Sequence, residues 1–91
     1  MIKRKSIVFH GRVQGVGFRW TASQFAGEYG LTGWVRNEYD GTVTMEVQGS
    51  QDLIDNLVDR LYRDTYIRID SMEVRTLSVV PEERGFKVRG Y

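Results

Sequence analysis

The stretch that decides the fold reads KSIVFHGRVQGVGFRWTASQFAGEYG and spans residues 5–30. Apolar and polar side chains alternate from Lys5 to Val13, which is the pattern of a β-strand. A glycine-rich segment from Gly11 to Gly17 follows. Apolar residues then recur at the spacing of a helix, at Phe18, Ala22, Phe25, Ala26 and Tyr29. The stretch therefore predicts a strand, a glycine-rich loop and a helix in direct succession.

The limits of this first helix follow from its capping signals. Gly30 stands where a C-terminal cap belongs, because glycine readily adopts the left-handed conformation that ends a helix. The start is ambiguous. The segment Thr21-Ala22-Ser23-Gln24 fits a capping box that begins the helix near Ala22. Phe18 is nevertheless in phase with the apolar stripe, so we expect the helix to start near Phe18 or Arg19.

Turn and capping residues mark the remaining elements. Asp40-Gly41 is a hairpin signal, and Ser50 is a good N-cap for a second helix. We predict further strands over residues 31–37, 42–48, 71–79 and 86–91. The order is then βαββαβ with a short extra C-terminal strand. It predicts an α+β, ferredoxin-like sandwich, in which two helices pack on one face of one mostly antiparallel sheet.

The composition limits the function. The chain has 91 residues and a net charge of +1, so we expect one domain over residues 1–91 that binds neither nucleic acid nor membrane. It has no cysteine and one histidine, which excludes thiol nucleophiles and argues against a Ser-His-Asp system or a histidine-rich metal site. The basic start leads into strand-like residues rather than the apolar core of a signal peptide, so we expect a cytoplasmic protein.

The segment from Gly11 to Arg19 carries the chemistry. It reads GRVQGVGFR and lies between the first strand and the first helix, where backbone N–H groups and the positive end of the helix form an anion site. Gly15 and Gly17 let the backbone come close to a ligand, and Arg19 offers a planar fork of donors to paired phosphate oxygens. The pattern alone fits an ordinary strand-to-helix turn with an exposed arginine equally well.

A second segment, which reads GWVRNEYDGTV at residues 33–43, follows the second strand to its end at Asn37. If the first two strands belong to a right-handed βαβ unit, they are parallel and end at the same edge of the sheet. Asn37 then lies beside the glycine-rich loop, where its amide can accept a hydrogen bond from water and donate one to a substrate oxygen. Taken alone, an asparagine at this place also fits a residue that only stabilises the turn.

These two segments resemble the acylphosphatase family. Its members carry a loop similar to Gly-x-Val-Gln-Gly-Val-Gly-Phe-Arg and a strand end similar to Gly-Trp-Val-x-Asn-x-x-x-Gly-x-Val, and both match almost residue for residue. The resemblance implies a metal-independent hydrolase without a cofactor, which cleaves the carboxyl–phosphate bond of small acyl phosphates. Inorganic phosphate is then both product and inhibitor, and we expect the protein to be a monomer.

The resemblance also implies a role for each motif residue. Arg19 binds the phosphate and Asn37 orients the attacking water. The backbone cradle for the substrate comprises Gln14, Gly15, Val16, Gly17 and Phe18. Thr42 stands where members have a residue suited to bracing the asparagine. Residues 63–69 depart from the Gly-Pro or Ser-Pro pair of many members, so we expect a differently built loop there.

Two other functions compete with this one, and the first is disfavoured by the sequence. An RNA-recognition module needs stacked aromatic residues on a central strand, which Ile7-Val8-Phe9 and Phe86-Lys87-Val88 do not supply. The second is an acylphosphatase-like domain that serves only as part of a larger maturation protein.

Two tryptophans could flank the site, but we expect Trp20 and Trp34 to be packing residues. His10 is expected to be structural or exposed.

Overall fold

Seven elements follow one another along residues 1–90, the part of the chain that the computed structural model describes. The strands are β1 (Ile2–Arg12), β2 (Thr32–Asn37), β3 (Val43–Ser50), β4 (Arg68–Leu77) and β5 (Phe86–Arg89). The helices are α1 (Phe18–Tyr29) and α2 (Gln51–Arg63), and neither has the length and apolar character needed to cross a membrane. The predicted ferredoxin-like α+β order is confirmed. Tyr91, the predicted end of the last strand, lies outside the described residues.

The strands form a five-stranded sheet in the order β4-β1-β3-β2-β5. Strand β3 lies between β1 and β2 and is antiparallel to both, so β1 and β2 run parallel to each other, as the βαβ unit requires. Strand β5 pairs with β2 in parallel. The carboxyl ends of β1, β2 and β5 therefore meet at one edge of the sheet, and the loop before α1 leaves β1 at that edge.

One face of the sheet and both helices enclose the apolar core. Alternate residues of the central strands point into it, as the two-residue period of a strand requires. The buried apolar residues are Ile7, Phe9, Val13, Phe18, Ala22, Ala26, Leu31, Val35, Val43, Met45, Val47, Ile54, Leu57, Leu61 and Ile67. The rings of Phe9 and Phe18 pack with their centroids 4.8 Å apart. This contact fixes the start of α1 against the sheet, beside the glycine-rich loop.

Helix α1 starts at Phe18, which confirms the preferred one of the two predicted starts. Phe18 is buried, and burying a phenylalanine stabilises a fold by roughly 1.5–3 kcal/mol. A helix that began after Thr21 would gain only about 1 kcal/mol from that capping side chain, so the apolar contact decides where the helix begins. The helix ends at Gly30, which has φ 69°, and the Leu31 N–H donates to the Ala26 carbonyl at 2.8 Å.

Strand β4 covers Arg68–Leu77 and so begins and ends earlier than the predicted 71–79. The earlier start follows from the pairing with β1, which continues past a bulge at Asp70 of β4, so that Gly11 pairs with Ile69. Gly11 permits the close approach of the two strands, since a Cβ there would lie 2.2 Å from the Arg68 carbonyl oxygen. The partner strand, rather than the local sequence, therefore sets the start of β4.

The connection from α2 to β4 contains an aspartate turn. Asp64 ends α2, and its Oδ1 accepts hydrogen bonds from the N–H groups of Tyr66 and Ile67, at 2.8 and 3.2 Å. Ile67 is buried and anchors the turn to the core. The side chain of Asp64 thus organises the connection that leads from α2 into β4.

The chain between β4 and β5 crosses the sheet, because these strands lie at opposite edges. We call residues 78–85 the strap; they cross the face opposite the helices. Arg4 on that face is 3 % exposed, and its Nη1 donates to Glu83 Oε1 at 2.7 Å. The Gln48 amide donates to the Val80 carbonyl at 2.9 Å and accepts from the Val80 N–H at 2.8 Å. These contacts fix the strap on the sheet and bring the chain to β5.

The charges under the strap compensate one another. Burial alone raises the pKa of Glu83, but hydrogen bonds from Arg4 and Thr32 outweigh it, and the pKa of this carboxyl lies below its ordinary value. The hydrogen bond to Glu83 is in turn the main reason why the pKa of Arg4 is raised. Arg4 also donates from Nε to Glu46 at 3.1 Å. Arg4 and Glu83 therefore both stay ionised in the fold. Each charge compensates the other, which avoids the large free-energy cost of burying a single unpaired charge.

Candidate active site

A cavity of about 310 Å³ opens at the edge of the sheet where β1, β2 and β5 end. It is lined by Val13, Gly15, Gly17, Phe18, Arg19, Trp20, Ser23, Asn37 and Val88. The fold thus brings together five residues that the sequence analysis assigns to the site, namely Gly15, Gly17, Phe18, Arg19 and Asn37. Three further assigned residues, Gln14, Val16 and Thr42, lie outside the lining.

Two glycines in the left-handed conformation shape the loop before α1. Gly15 has φ 73° and Gly17 has φ 80°, values at which an L side chain costs energy. No atom lies within 4 Å of the position that a Cβ would take on either residue. Both glycines therefore present bare backbone to the cavity that they line. Between them, Val16 turns its side chain partly into the core.

The start of α1 leaves its first N–H groups available. Gly17 is the N-cap and has no side chain that could accept a hydrogen bond from them. The first helical hydrogen bond joins the Thr21 N–H to the Gly17 carbonyl at 2.9 Å. The N–H groups of Phe18, Arg19 and Trp20 precede this bond and have no acceptor within the helix. With the positive end of the helix dipole they form a site suited to an anion.

Arg19 reaches from the first turn of α1 to the end of β5. It is partly buried, and its Nη1 donates to the Arg89 carbonyl oxygen at 3.0 Å. Within residues 1–90 this is the hydrogen bond that holds its guanidinium. Because a guanidinium carries five N–H donors, the anchored group keeps a fork of donors for a ligand.

Asn37 is the last residue of β2, where it pairs with Val43 of β3. Its side chain is partly buried and lines the cavity. Among residues 1–90 the carboxamide makes no hydrogen bond to the protein, and its polar atoms are open to solvent, since none of the buried side-chain nitrogen and oxygen atoms described lacks a partner. The amide is therefore free to bind water and substrate at the same time.

Gln14 joins the loop to the turn that follows Asn37. Its Nε2 donates to the carbonyl oxygens of Glu38 and Thr42, at 2.7 and 2.8 Å. These carbonyls belong to the turn between β2 and β3. A hydrogen bond from the Glu38 N–H to the Thr42 carbonyl, at 2.9 Å, closes that turn. The side chain of Gln14 is thus used within the fold, and only its backbone is left for the cradle role that the resemblance implies.

Thr42 acts within the same turn. Its hydroxyl donates to Asp40 Oδ1 at 2.6 Å, and its N–H donates to the same oxygen at 3.0 Å. These two bonds, the hydroxyl first, lower the pKa of Asp40 below its ordinary value. The hydroxyl proton is directed at Asp40 rather than at Asn37, so any bracing of the asparagine by Thr42 has to pass through the turn.

The prediction that Trp20 packs within the domain is wrong. Its side chain is 67 % exposed and lines the cavity. Two residues separate positions by about 200° around a helix axis, so Trp20 points away from the core that Phe18 enters. This spacing could have identified it. Trp34 instead contacts two guanidinium groups, those of Arg36 and Arg89, which lie 4.9 and 5.0 Å from its ring centre.

Among those of residues 1–90 that line the cavity, Arg19 alone has an ionisable side chain. His10 lies elsewhere, on β1, where its Nε2 is 2.5 Å from Glu73 Oε2 of β4. Within residues 1–90, no three histidine, aspartate or glutamate side chains form a group that could hold a metal ion. What the cavity offers is therefore a cation, a neutral amide and backbone donors, which can bind and position a phosphoryl group.

The Acylphosphatase family model matches residues 5–88. An acylphosphatase from Geobacillus thermodenitrificans is 38 % identical over 88 residues, which are 96 % of this chain and 94 % of that protein. The crystal structure of acylphosphatase from Bacillus subtilis superposes with a TM-score of 0.88 at 26 % identity, and the match covers 99 % of this chain and 100 % of that one.

A longer protein contains a similar unit. HypF from T. kodakarensis superposes with a TM-score of 0.83 at 30 % identity, over 98 % of this chain but 12 % of its own. Across these comparisons, the family match and the likeness to relatives extend over nearly all of the residues that build the sheet, the helices and the cavity. The chain therefore belongs to the acylphosphatase family.

Proposed function

We propose that this protein is an acylphosphatase that works as one domain over residues 1–91. It hydrolyses the carboxyl–phosphate bond of a small acyl phosphate to a carboxylate and inorganic phosphate. The observation that carries the proposal is one cavity shared by bare loop N–H groups, the anchored Arg19 guanidinium and the Asn37 amide, which has no hydrogen-bond partner within residues 1–90. The loop and Arg19 bind the phosphoryl group, and Asn37 orients the attacking water.

The leaving group fits a cavity whose lining, within residues 1–90, has no acidic side chain. A carboxylic acid has a pKa of about 4, so the leaving carboxylate departs at neutral pH without being protonated. A phosphate monoester would release a far more basic alkoxide, which needs a proton donor. We therefore expect acyl phosphates to be good substrates and phosphate monoesters to be poor ones.

Catalysis then consists of positioning and charge stabilisation. Phosphoryl transfer passes through a loose transition state, with charge spread over the equatorial oxygens. The N–H groups of the loop and the guanidinium of Arg19 stabilise that charge. Water attacks phosphorus, the bond to the acyl oxygen breaks, and its electron pair leaves with the carboxylate. The proton of the water passes to a phosphate oxygen, so no protein base is required.

The similarity to HypF supports a second candidate. A domain that forms 12 % of a longer chain can serve that chain by binding alone, and the same cavity suits a phosphate that is held but not cleaved. The two candidates differ in turnover: an acylphosphatase releases inorganic phosphate from acetyl phosphate by itself, and a binding domain does not.

The test is hydrolysis of acetyl phosphate by the purified chain in excess EDTA. We expect full turnover with chelator present, and loss of turnover and of phosphate binding in Arg19→Ala. Arg19→Lys should rescue poorly, because a point charge does not reproduce the planar fork. Arg75→Ala, which removes an exposed arginine of β4, is the matched control and should behave as wild type. Activity that needs added Mg²⁺, or a folded chain without turnover, would contradict the proposal.

We further propose that inorganic phosphate inhibits competitively, because substrate and product share the same N–H groups and Arg19. The monomeric state and the cytoplasmic location stay predictions from the sequence. Sedimentation of the purified chain at several concentrations tests the first, and fractionation of cells that express it tests the second.

A further inference from the structure

Trp20 is a large apolar side chain that the fold leaves in water. It is 67 % exposed, although it follows directly after Arg19 at the mouth of the cavity. Its backbone is held in place, since Ser23 Oγ donates to the Trp20 carbonyl at 2.8 Å. An exposed aromatic ring on a fixed backbone, beside a site for an anion, is a surface on which a ligand can lie.

The lining of the cavity has two chemically different parts. One part is polar and consists of the glycines of the loop, Arg19, Asn37 and Ser23, whose hydroxyl is hydrogen-bonded to the Trp20 carbonyl. The other is apolar and consists of Val13, Phe18, Trp20 and Val88. Val13 and Phe18 are buried in the core and form a fixed floor, whereas Trp20 and Val88 stand at the rim, with Val88 51 % exposed. A ligand that enters the cavity therefore covers mainly these two rim residues.

An acyl phosphate has the same two parts as the cavity. Its phosphoryl group suits the polar lining, and its acyl group, which is bonded to the phosphoryl oxygen, has to leave that region toward the rim. An acetyl group is too small to cover much of an indole ring. A benzoyl group presents a flat aromatic face of similar extent, which can stack on the indole and displace water from it.

We propose that Trp20, with Val88 beside it, forms the binding site for the acyl group and favours acyl phosphates whose acyl group is aromatic or extended and apolar. The inference rests on the proposed function, because it places the phosphoryl group at the loop and Arg19. It adds a residue that determines specificity, and it concerns the part of the substrate that does not react.

The test compares benzoyl phosphate with acetyl phosphate in wild type, Trp20→Ala and Trp20→Phe. We expect the ratio of kcat/KM for the two substrates to fall about tenfold in Trp20→Ala, the scale of one aromatic contact. In Trp20→Phe the same ratio should stay close to its wild-type value. Tyr62→Ala is the matched control, since Tyr62 is an exposed aromatic residue of α2 outside this cavity. The inhibition constant of inorganic phosphate, which has no acyl group, should change much less than the ratio.

A binding measurement separates the inference from the proposed function. Phenylphosphonate and methylphosphonate carry the same charged group and cannot be hydrolysed, so their relative affinities test the acyl site without turnover. Trp20→Ala should weaken phenylphosphonate about tenfold more than methylphosphonate. If Trp20→Ala changed neither the ratio of kcat/KM nor the ratio of phosphonate affinities, the acyl site would be overturned and the proposed function would stand. Absent turnover with a retained preference for phenylphosphonate would overturn the function and leave the acyl site.

Discussion

Arg19 and Asn37 share a cavity but differ in what holds them. Arg19 is anchored by a hydrogen bond to the Arg89 carbonyl. The Asn37 amide has no hydrogen bond within residues 1–90, and its position is set by its backbone and by the following turn, which Gln14 holds through two hydrogen bonds. A residue that binds phosphate acts in the ground state as well as in the transition state. A residue that aligns water acts mainly in the transition state, so its loss lowers kcat rather than affinity.

Replacement of Asn37 tests this division at the level of one side chain. We expect Asn37→Ala to lower kcat by roughly 10²–10³, or about 3–4 kcal/mol, the scale for one positioned polar group. The inhibition constant of phosphate and the midpoint of urea unfolding should stay close to wild type. Thr42→Ala should show a smaller loss of kcat, since its hydroxyl holds only the turn.

The control is Asn56→Ala, which removes an exposed asparagine of α2 and should leave all three quantities unchanged. The assignment of roles fails if phosphate affinity of Asn37→Ala falls as far as kcat. It also fails if neither quantity changes, because Asn37 is then only a turn residue.

Among the elements, the loop between β1 and α1 combines backbone conformation with ligand access. Gly15 and Gly85 both have φ 73° and open space where a Cβ would stand, but only Gly15 lines the cavity. The two positions therefore separate the energetic cost of the conformation from the steric block of the site.

We expect Gly15→Val and Gly85→Val to lose similar stability, on the order of 1–2 kcal/mol, because each forces a branched side chain into the left-handed region. Only Gly15→Val should also lose phosphate affinity, by about tenfold or more, since its side chain stands where the phosphate approaches the backbone. The two readouts are the urea midpoint and inhibition by phosphate. Equal phosphate affinity in the two folded variants would show that Gly15 has no part in the cradle.

Features that depend on residues close together in the chain could be predicted from the sequence. The start of α1 at Phe18 and its end at Gly30 follow from an apolar stripe and a cap, and Asn37 could be placed at the edge of the sheet from the βαβ rule alone. The start of β4 depends on its pairing with β1 beyond a bulge at Asp70, and the Arg89 contact depends on which strand β5 pairs with. Pairing between distant strands leaves no local pattern, so these features could not be predicted.

The stability of the whole molecule depends on the strap, because this segment connects the strands at the two edges of the sheet. Its Glu83 stays charged beside Arg4, with its pKa below the ordinary value. A carboxyl whose pKa is lowered by folding stabilises the fold at pH above its unfolded pKa. That contribution is lost as the pH falls through the folded pKa.

We therefore expect wild type to lose more stability on acidification than Glu83→Gln. At neutral pH this variant should be less stable by about 1–3 kcal/mol, the value of a buried hydrogen bond to a charged group, and the difference should shrink from about pH 5 downward. Urea unfolding at a series of pH values measures both. Glu82→Gln, at the neighbouring exposed position of the strap, is the control and should follow wild type. A constant difference at all pH values would contradict the role of Glu83.

The bond between Arg19 and the Arg89 carbonyl has a consequence for synthesis on the ribosome, since its partners lie 70 residues apart in the chain. At about 5–20 residues per second, the ribosome needs several seconds to add the intervening residues. The glycine-rich loop, Arg19 and then Asn37 are all synthesised before the strand that anchors the guanidinium. Emergence of β5 is therefore the step at which a growing polypeptide gains the contact that holds Arg19 at the cavity.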